Sequence, residues 1–251
     1  MEKFITASSA SKNALNMMMV SSSLPVNILV FGAEGVGRKR LIHMAFSDSR
    51  AFFATELEVL MRENRVDFSE DSEVVVYDID KAGNVGQLVD HLEALDLKVV
   101  ATASMEKDVF EEKFLVRVDI PALVQRPEDT AVLVENYIQK AQDLFRIESS
   151  LKAEDIDINL SQNSISLKES IYRSLLLNSI DKKQMMDALE QFLTKVIDEE
   201  SDYKVLLEIF EVPLLKAMRS KHKSQLQMAS KLGINRNTLR KKMYQYGLED
   251  K

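Results

Sequence analysis

Apolar residues in the first half of the chain fall into short unbroken runs, and between these runs lie stretches with helical period. Val26-Asn-Ile-Leu-Val-Phe31 is such a run and stops at Gly32, which predicts a buried strand. A glycine-rich turn follows, then a helical pattern from Arg38 to about Phe46. Val74–Tyr77 and Lys98–Ala101 are further β-branched runs, with a helix-like stretch from Val85 to Leu95 between them. This alternation predicts a parallel α/β sheet. Leu115–Ile120 reads as extended and ends at Pro121, after which Pro127 occupies the first turn of a helix running to about Phe145. Residues 146–165 are polar and lack a period, apart from a weak alternation over Asp155–Ile158, so they read as a linker. Beyond it, Ser166-Leu-Lys-Glu169 fits a capping box, with Leu167, Ile171 and Leu175 on one helical face. Asp181 caps a further helix striped by Met185, Leu189, Phe192, Val196 and Ile197. The resulting division is an α/β domain over 1–145, a linker over 146–165 and a helical domain over 166–251.

The carboxyl-terminal pattern carries the most specific chemistry. Leu226, Ala229 and Leu232 form the inner face of one short helix, and Gly233 supplies the left-handed residue that ends it. Ile234 pins the turn, and Leu239, Met243 and Tyr246 face inward from a second helix. Arg236, Asn237, Arg240 and Lys241 are left on its outer side. An arginine at the start of such a helix can donate two hydrogen bonds to the O6 and N7 of guanine, while cations farther along meet phosphates. Asn235 and Thr238 suit phosphate contacts. The plain alternative is a solvated basic face on a helical bundle.

Charge supports the first reading. The chain of 251 residues has a formal net charge of −7, yet residues 203–251 carry 11 Lys and Arg against 4 Asp and Glu, leaving 22 against 36 for the rest. A basic tail on an acidic body fits contact with DNA at one end only. Hydrophobic residues at 45% suffice for a real core, and few Gly, few Pro and no Trp favour helix. No Cys is present, which excludes disulfides and thiolate metal sites and makes the cytosol the expected compartment. The apolar stretch from Met17 to Phe31 is broken by three serines, Pro25 and Asn27, so neither a signal peptide nor a membrane span is expected. His43, His91 and His222 are too scattered for a metal site, and the twelve methionines are expected mostly in the core.

The turn after the first strand reads Gly32-Ala-Glu-Gly-Val-Gly-Arg-Lys39 and stands where a phosphate-binding loop would. That motif needs G-x-x-x-x-G-K-[ST], its lysine for the terminal phosphates and its hydroxyl for magnesium. Arg38 and Lys39 hold those two places instead. Backbone N–H groups of the glycine turn can still receive an anion. Gly32, Gly35, Gly37 and Arg38 are therefore candidate nucleotide-binding residues, with binding expected without hydrolysis and no other cofactor.

Residues 228–248, M-A-S-K-L-G-I-N-R-N-T-L-R-K-K-M-Y-Q-Y-G-L, are similar to the carboxyl-terminal helices of the Fis nucleoid protein and of the Fis-type domains that end sigma-54 enhancer-binding activators. The resemblance spans about residues 203–251. It implies a homodimer on double-stranded DNA, with Arg236 reading bases, Asn235 beside it, and Thr238, Arg240, Lys241 and Lys242 at phosphates. Leu226 departs from it, standing where Fis has a phosphate-contacting threonine, and the resemblance leaves Ser224 and Gln225 to contribute the contact from the first helix. Five further stretches, S-A-S-K-N-A-L, N-I-L-V-F-G-A-E-G-V-G-R-K-R-L-I-H, V-V-V-Y-D-I-D, V-V-A-T-A-S and I-P-A-L-V-Q-R-P-E-D, look like the ordered landmarks of the NtrC-type AAA+ domain. Set against that pattern, Asp78 keeps the magnesium aspartate, Ile79 replaces the glutamate that activates water, and Ala103 stands at the sensor asparagine. The stretch from Glu106 to Glu112 lacks arginine fingers, and about twenty residues between Phe53 and Val74 leave no room for the GAFTGA loop. The resemblance thus implies an AAA+-like sheet domain without a complete ATPase site, followed by an all-α Fis-type helix-turn-helix domain. The expected function is a sequence-specific, dimeric transcriptional regulator with no enzyme activity and no catalytic residues. Two alternatives stand beside it: an interaction partner of intact AAA+ homologues, and a Fis-like architectural protein of the nucleoid.

Overall fold

The computed structural model describes residues 3–146, 156–198, 201–222 and 224–248. The chain divides into two compact units, Met1–Ser179 and Ile180–Lys251.

The first unit is an α/β fold, as the alternation predicts. Its strands β1 (Ile28–Phe31), β2 (Ala51–Phe53), β3 (Glu73–Tyr77), β4 (Lys98–Ala103) and β5 (Val116–Asp119) form one sheet of order β2-β3-β4-β1-β5. All four pairings are parallel; Ile28 lies opposite Val100 on one side and Val116 on the other. Parallel strands need crossovers, and those helices cover both faces, which is why the runs are continuously apolar. Side chains alternate between the faces. Leu29, Val74 and Val76 pack with Leu57 of α3 (Ala54–Arg62) and Leu88, Val89 and Leu92 of α4 (Val85–Glu93). Ile28, Val30, Val75 and Val100 pack on the other side with Met18 of α1 (Ser9–Ser22) and Leu41 and Ile42 of α2 (Arg38–Ala45). Because β3, β4 and β1 are neighbours, the turns after their carboxyl ends gather residues 32–39, 78–81 and 103–105 at one edge of the sheet. The short α5 (Val109–Lys113) connects β4 to β5.

Helix α6 (Pro127–Phe145) begins with proline in its first turn, as expected, and packs against α7 (Ser164–Ser179). Leu167, Ile171 and Leu175 are fully buried there against Leu133, Val134, Tyr137 and Ala141. This corrects the boundary at residue 166: α7 belongs to the first unit, because its apolar face finds its partner on α6. The expected capping box is also corrected. The helix starts at Ser164, and the Ser166 hydroxyl accepts from the Gln162 N–H at 2.9 Å and bonds to the Asn159 carbonyl at 3.0 Å. Of the expected linker, residues 147–155 lie outside the described residues, while Ile156 and Leu160 join the α6–α7 core.

The second unit contains α8 (Lys182–Val196), α9 (Tyr203–Lys221), α10 (Gln225–Leu232) and α11 (Arg236–Gln245). Asp181 closes a full capping box with Gln184 at the start of α8. No residue of α8 is buried, and Met185, Met186, Phe192 and Val196 are all exposed. With Met17, Met19, Met44 and Met105 also exposed, the expectation that methionines sit mostly in the core does not hold. No helix among the described residues is long and apolar enough to cross a membrane.

Candidate nucleic-acid interface and glycine turn

The core of the second unit is small and built by sequence-local means. Met228 and Ala229 of α10 and Leu239 and Met243 of α11 are buried with Leu215 of α9, and Leu232, Ile234 and Tyr246 close around them. Gly233 takes a left-handed φ of 65°, and its N–H and that of Ile234 return to the Ser230 and Ala229 carbonyls, ending α10 within one residue. Asn235 then caps α11, its side-chain oxygen accepting from the Asn237 N–H at 2.8 Å. Ser224 does the same for α10 through the Gln227 N–H at 3.3 Å. Both side chains, expected at DNA, thus also serve as helix caps. Leu226 is corrected outright: it is exposed, and Met228 takes the inward place one turn position later.

This core leaves one side of α11 free. Asn235, Arg236, Asn237, Thr238, Arg240 and Lys241 are all exposed, and Arg236, Arg240 and Lys241 have no ion-pair partner among the described residues. Tyr244, which sequence reasoning passed over, is 74% exposed and extends the Arg236–Arg240 row by four residues on the same face. Gln225 is half-buried. Lys242 departs from expectation. Its ammonium is paired with Glu211 of α9, whose other oxygen accepts from the Tyr246 hydroxyl at 2.7 Å. Hydrogen bonds from Lys242 and Tyr246 hold the Glu211 carboxyl below its ordinary range, and the Glu211 bond pushes the Tyr246 phenol up to about 12. The charge of Lys242 is therefore neutralised inside the unit, and no spacing signal could show it across 31 residues.

In the first unit the glycine turn is built from outside. Three successive carbonyls are each held: Glu34 by the Asn163 amide at 2.8 Å, Gly35 by the Ser164 hydroxyl at 2.6 Å, and Val36 by the Arg126 guanidinium at 3.0 Å. In a planar trans peptide the N–H opposes the C=O, so the N–H groups of Gly35, Val36 and Gly37 point away from those partners. Gly35 and Gly37 have φ of 77° and 106°, and a Cβ on Gly35 would meet the Gln162 carbonyl oxygen at 2.5 Å. Only glycine fits there. Arg126 is itself fixed by a fully buried pair with Asp129 at 3.2 Å, and burial lowers its pKa against that carboxylate. Asp129 also accepts from Ala7, Ser8 and Ser11 at the start of α1.

Beyond the turn, Arg38 is 7% exposed, with Nη2 3.6 Å from Asp78 and Nη1 buried without a partner. Lys39 and Lys81 bring their ammonium groups within 4.0 and 3.6 Å of the other Asp78 oxygen. Burial lowers the Lys39 pKa, Asp78 opposing it. Lys81, three residues after Asp78, went unnoticed in the sequence although its spacing was readable. Ile79 is fully buried in the core; Asp80, next to it, spends one oxygen on the Ser104 and Met105 N–H groups.

Comparison with known proteins accords with both halves of this description. Residues 207–246 match the model described as bacterial regulatory protein, Fis family. The chain is 21% identical over 166 residues to the HTH-type transcriptional regulatory protein TyrR of Haemophilus influenzae, covering 60% of this chain and 50% of that one. It is 25% identical over 164 residues to TyrR of Enterobacter agglomerans, covering 61% and 32%. The chain thus spans half the length, or less, of these curated relatives. Crystal structures of NtrX from Brucella abortus, in complex with ATP and with ADP, superpose with TM-scores of 0.58 and 0.57 at 14% and 15% identity, covering 98% of this chain and 70% of that one. The chain shares the fold of these NtrX structures, with a parallel α/β sheet unit followed by helices, and its residues 207–246 match the Fis-family model.

Proposed function

We propose that this chain is a DNA-binding transcriptional regulator that acts as a homodimer and does not hydrolyse ATP. The observation that carries the reading is α11: a helix within the Fis-family match whose apolar side is buried and whose Arg236, Arg240 and Lys241 are exposed and have no ion-pair partner among the described residues. A helix of this kind enters the major groove with its first residues at base edges. Arg236 reads a guanine, while Arg240, Lys241 and Thr238 meet phosphates. The exposed stripe of α8, Met185, Phe192 and Val196 with half-buried Leu189, supplies the apolar surface for the second copy. Two such helices about 34 Å apart would select a palindromic site on cytoplasmic, nucleoid DNA. The expectation of no turnover rests on the chemistry at Asp78, where cations surround the carboxylate and Ile79 offers no base. A second reading is favoured by the three N–H groups of the glycine turn: it binds a phosphate-bearing nucleotide as a ligand.

The test is binding of the full chain to its selected duplex and to random DNA. Arg236→Ala should cost about 1–3 kcal/mol on the selected site and much less on random sequence. Equal losses on both would remove the base-reading role. Steady phosphate release from ATP by the full chain would remove the other half of the reading.

A further inference from the structure

A nucleotide site on a sheet of this kind ordinarily holds its phosphates with a lysine and a divalent metal ion, the ion being bound by a hydroxyl in the first helical turn and by an aspartate after β3. The residues at those places here do not fit the ion. Lys39 stands where the hydroxyl belongs. The Asp78 carboxylate has Arg38 at 3.6 Å, Lys81 at 3.6 Å and Lys39 at 4.0 Å, so each oxygen already faces a cation. A divalent cation arriving at Asp78 would meet three like charges.

The same arrangement suits an anion. The turn directs the N–H groups of Gly35, Val36 and Gly37 away from the partners that grip its carbonyls, and α2 starts directly after them. Arg38, nine-tenths buried in the first turn of α2, keeps Nη1 without a partner. A buried guanidinium donor with nothing to donate to is costly unless a ligand or water completes it. Asp78 answers only part of the local positive charge, since Arg38, Lys39 and Lys81 share it with one distant contact from Glu34 to Lys81 at 3.8 Å.

We propose that Arg38 takes the place of the metal ion, so that the glycine turn binds a polyphosphate chain in the absence of any divalent cation. The proposal rests on the reading of the turn as a phosphate site and adds the opposite metal dependence to it. Asp78 then acts as a resident counter-ion that the ligand partly displaces from Arg38 and Lys81, rather than as a ligand holder. Its left-handed backbone, φ 53°, is one that asparagine adopts readily, which makes Asp78→Asn a mild change of shape and a full change of charge.

Calorimetric titration of the full chain with ATP and with inorganic tripolyphosphate, each in EDTA and in excess magnesium, tests this. Both ligands should bind in EDTA, and magnesium should weaken binding at least threefold because it neutralises the ligand. Asp78→Asn should tighten both ligands at least threefold in EDTA, with its thermal midpoint confirming a folded chain. A requirement for magnesium, or loss of binding in a folded Asp78→Asn, overturns the metal-free proposal while leaving the turn as a phosphate site. A response to Asp78→Asn confined to ATP places the effect at the nucleoside and also overturns it. No binding of either ligand under either condition removes the underlying reading as well.

Discussion

Arg38 and Arg236 each open a short helix, α2 and α11, directly after a residue that ends a turn. Gly37 precedes the first with a left-handed φ, and Asn235 caps the second. Their surroundings differ completely. Arg38 is buried at the carboxyl edge of a five-stranded sheet, where β3 ends in a carboxylate; Arg236 protrudes from a core of five buried side chains too small to cover it. The first charge comes with its own counter-ion on Nη2, so a ligand competes there with Asp78. The second has none among the described residues, so it is available to phosphates or bases and its effect is screened by salt. A basic residue after a turn says little by itself; the counter-charge decides, and that is set by tertiary neighbours.

The buried network behind Arg38 carries the largest stability. Asp129→Ala leaves the Arg126 guanidinium buried without its partner and strands donors from Ala7, Ser8 and Ser11. Breaking one side of a buried pair costs about 3–5 kcal/mol. Urea denaturation of the full chain should show that loss in the transition of the first unit. A change below about 1 kcal/mol would mean the network does not brace the glycine turn.

The sheet was legible because strands covered on both faces read as unbroken β-branched runs, and Val74–Val76 and Val99–Val100 are such runs. The helix-turn-helix was legible because Gly233, Asn235 and the Leu239–Met243 spacing act within a few residues of one another. What escaped reading is non-local. The partner of Leu167, Ile171 and Leu175 is α6, more than twenty residues away, so a correct apolar face was assigned to the wrong unit. Helix α1 and the three-residue strand β2 are too weakly patterned to stand out. At the site, Asn163, Ser164 and Arg126 grip the glycine turn from positions with no motif of their own. Lys242 looked like its neighbour Lys241 because nothing local marks Glu211.

Lys241 and Lys242 show the same contrast within a single helix. Lys241 is exposed and has no ion-pair partner among the described residues, whereas Lys242 is already neutralised by Glu211. Each phosphate contact contributes about 0.9 to the slope of log affinity against log salt. Lys241→Ala should therefore flatten the slope by about that amount, and Lys242→Ala by clearly less. Equal changes in slope would show that Lys242 leaves Glu211 for DNA on binding.

The smallest expected effect follows from the same carboxylate. Glu211 holds the Tyr246 proton, raising the phenol from 10.0 to about 12. A group whose pKa rises on folding adds stability that is complete below the unfolded value. That stability is lost as pH climbs from about 10 towards about 12. Tyrosinate absorbance of the full chain, with Tyr246→Phe subtracted, should isolate a late-titrating phenol, and Glu211→Gln should return it towards its ordinary range. A phenol that stays late in Glu211→Gln would assign the shift to burial in the α9–α11 core instead. In that case Lys242 would lose its tie to a shared carboxylate as the reason for its quiet salt slope.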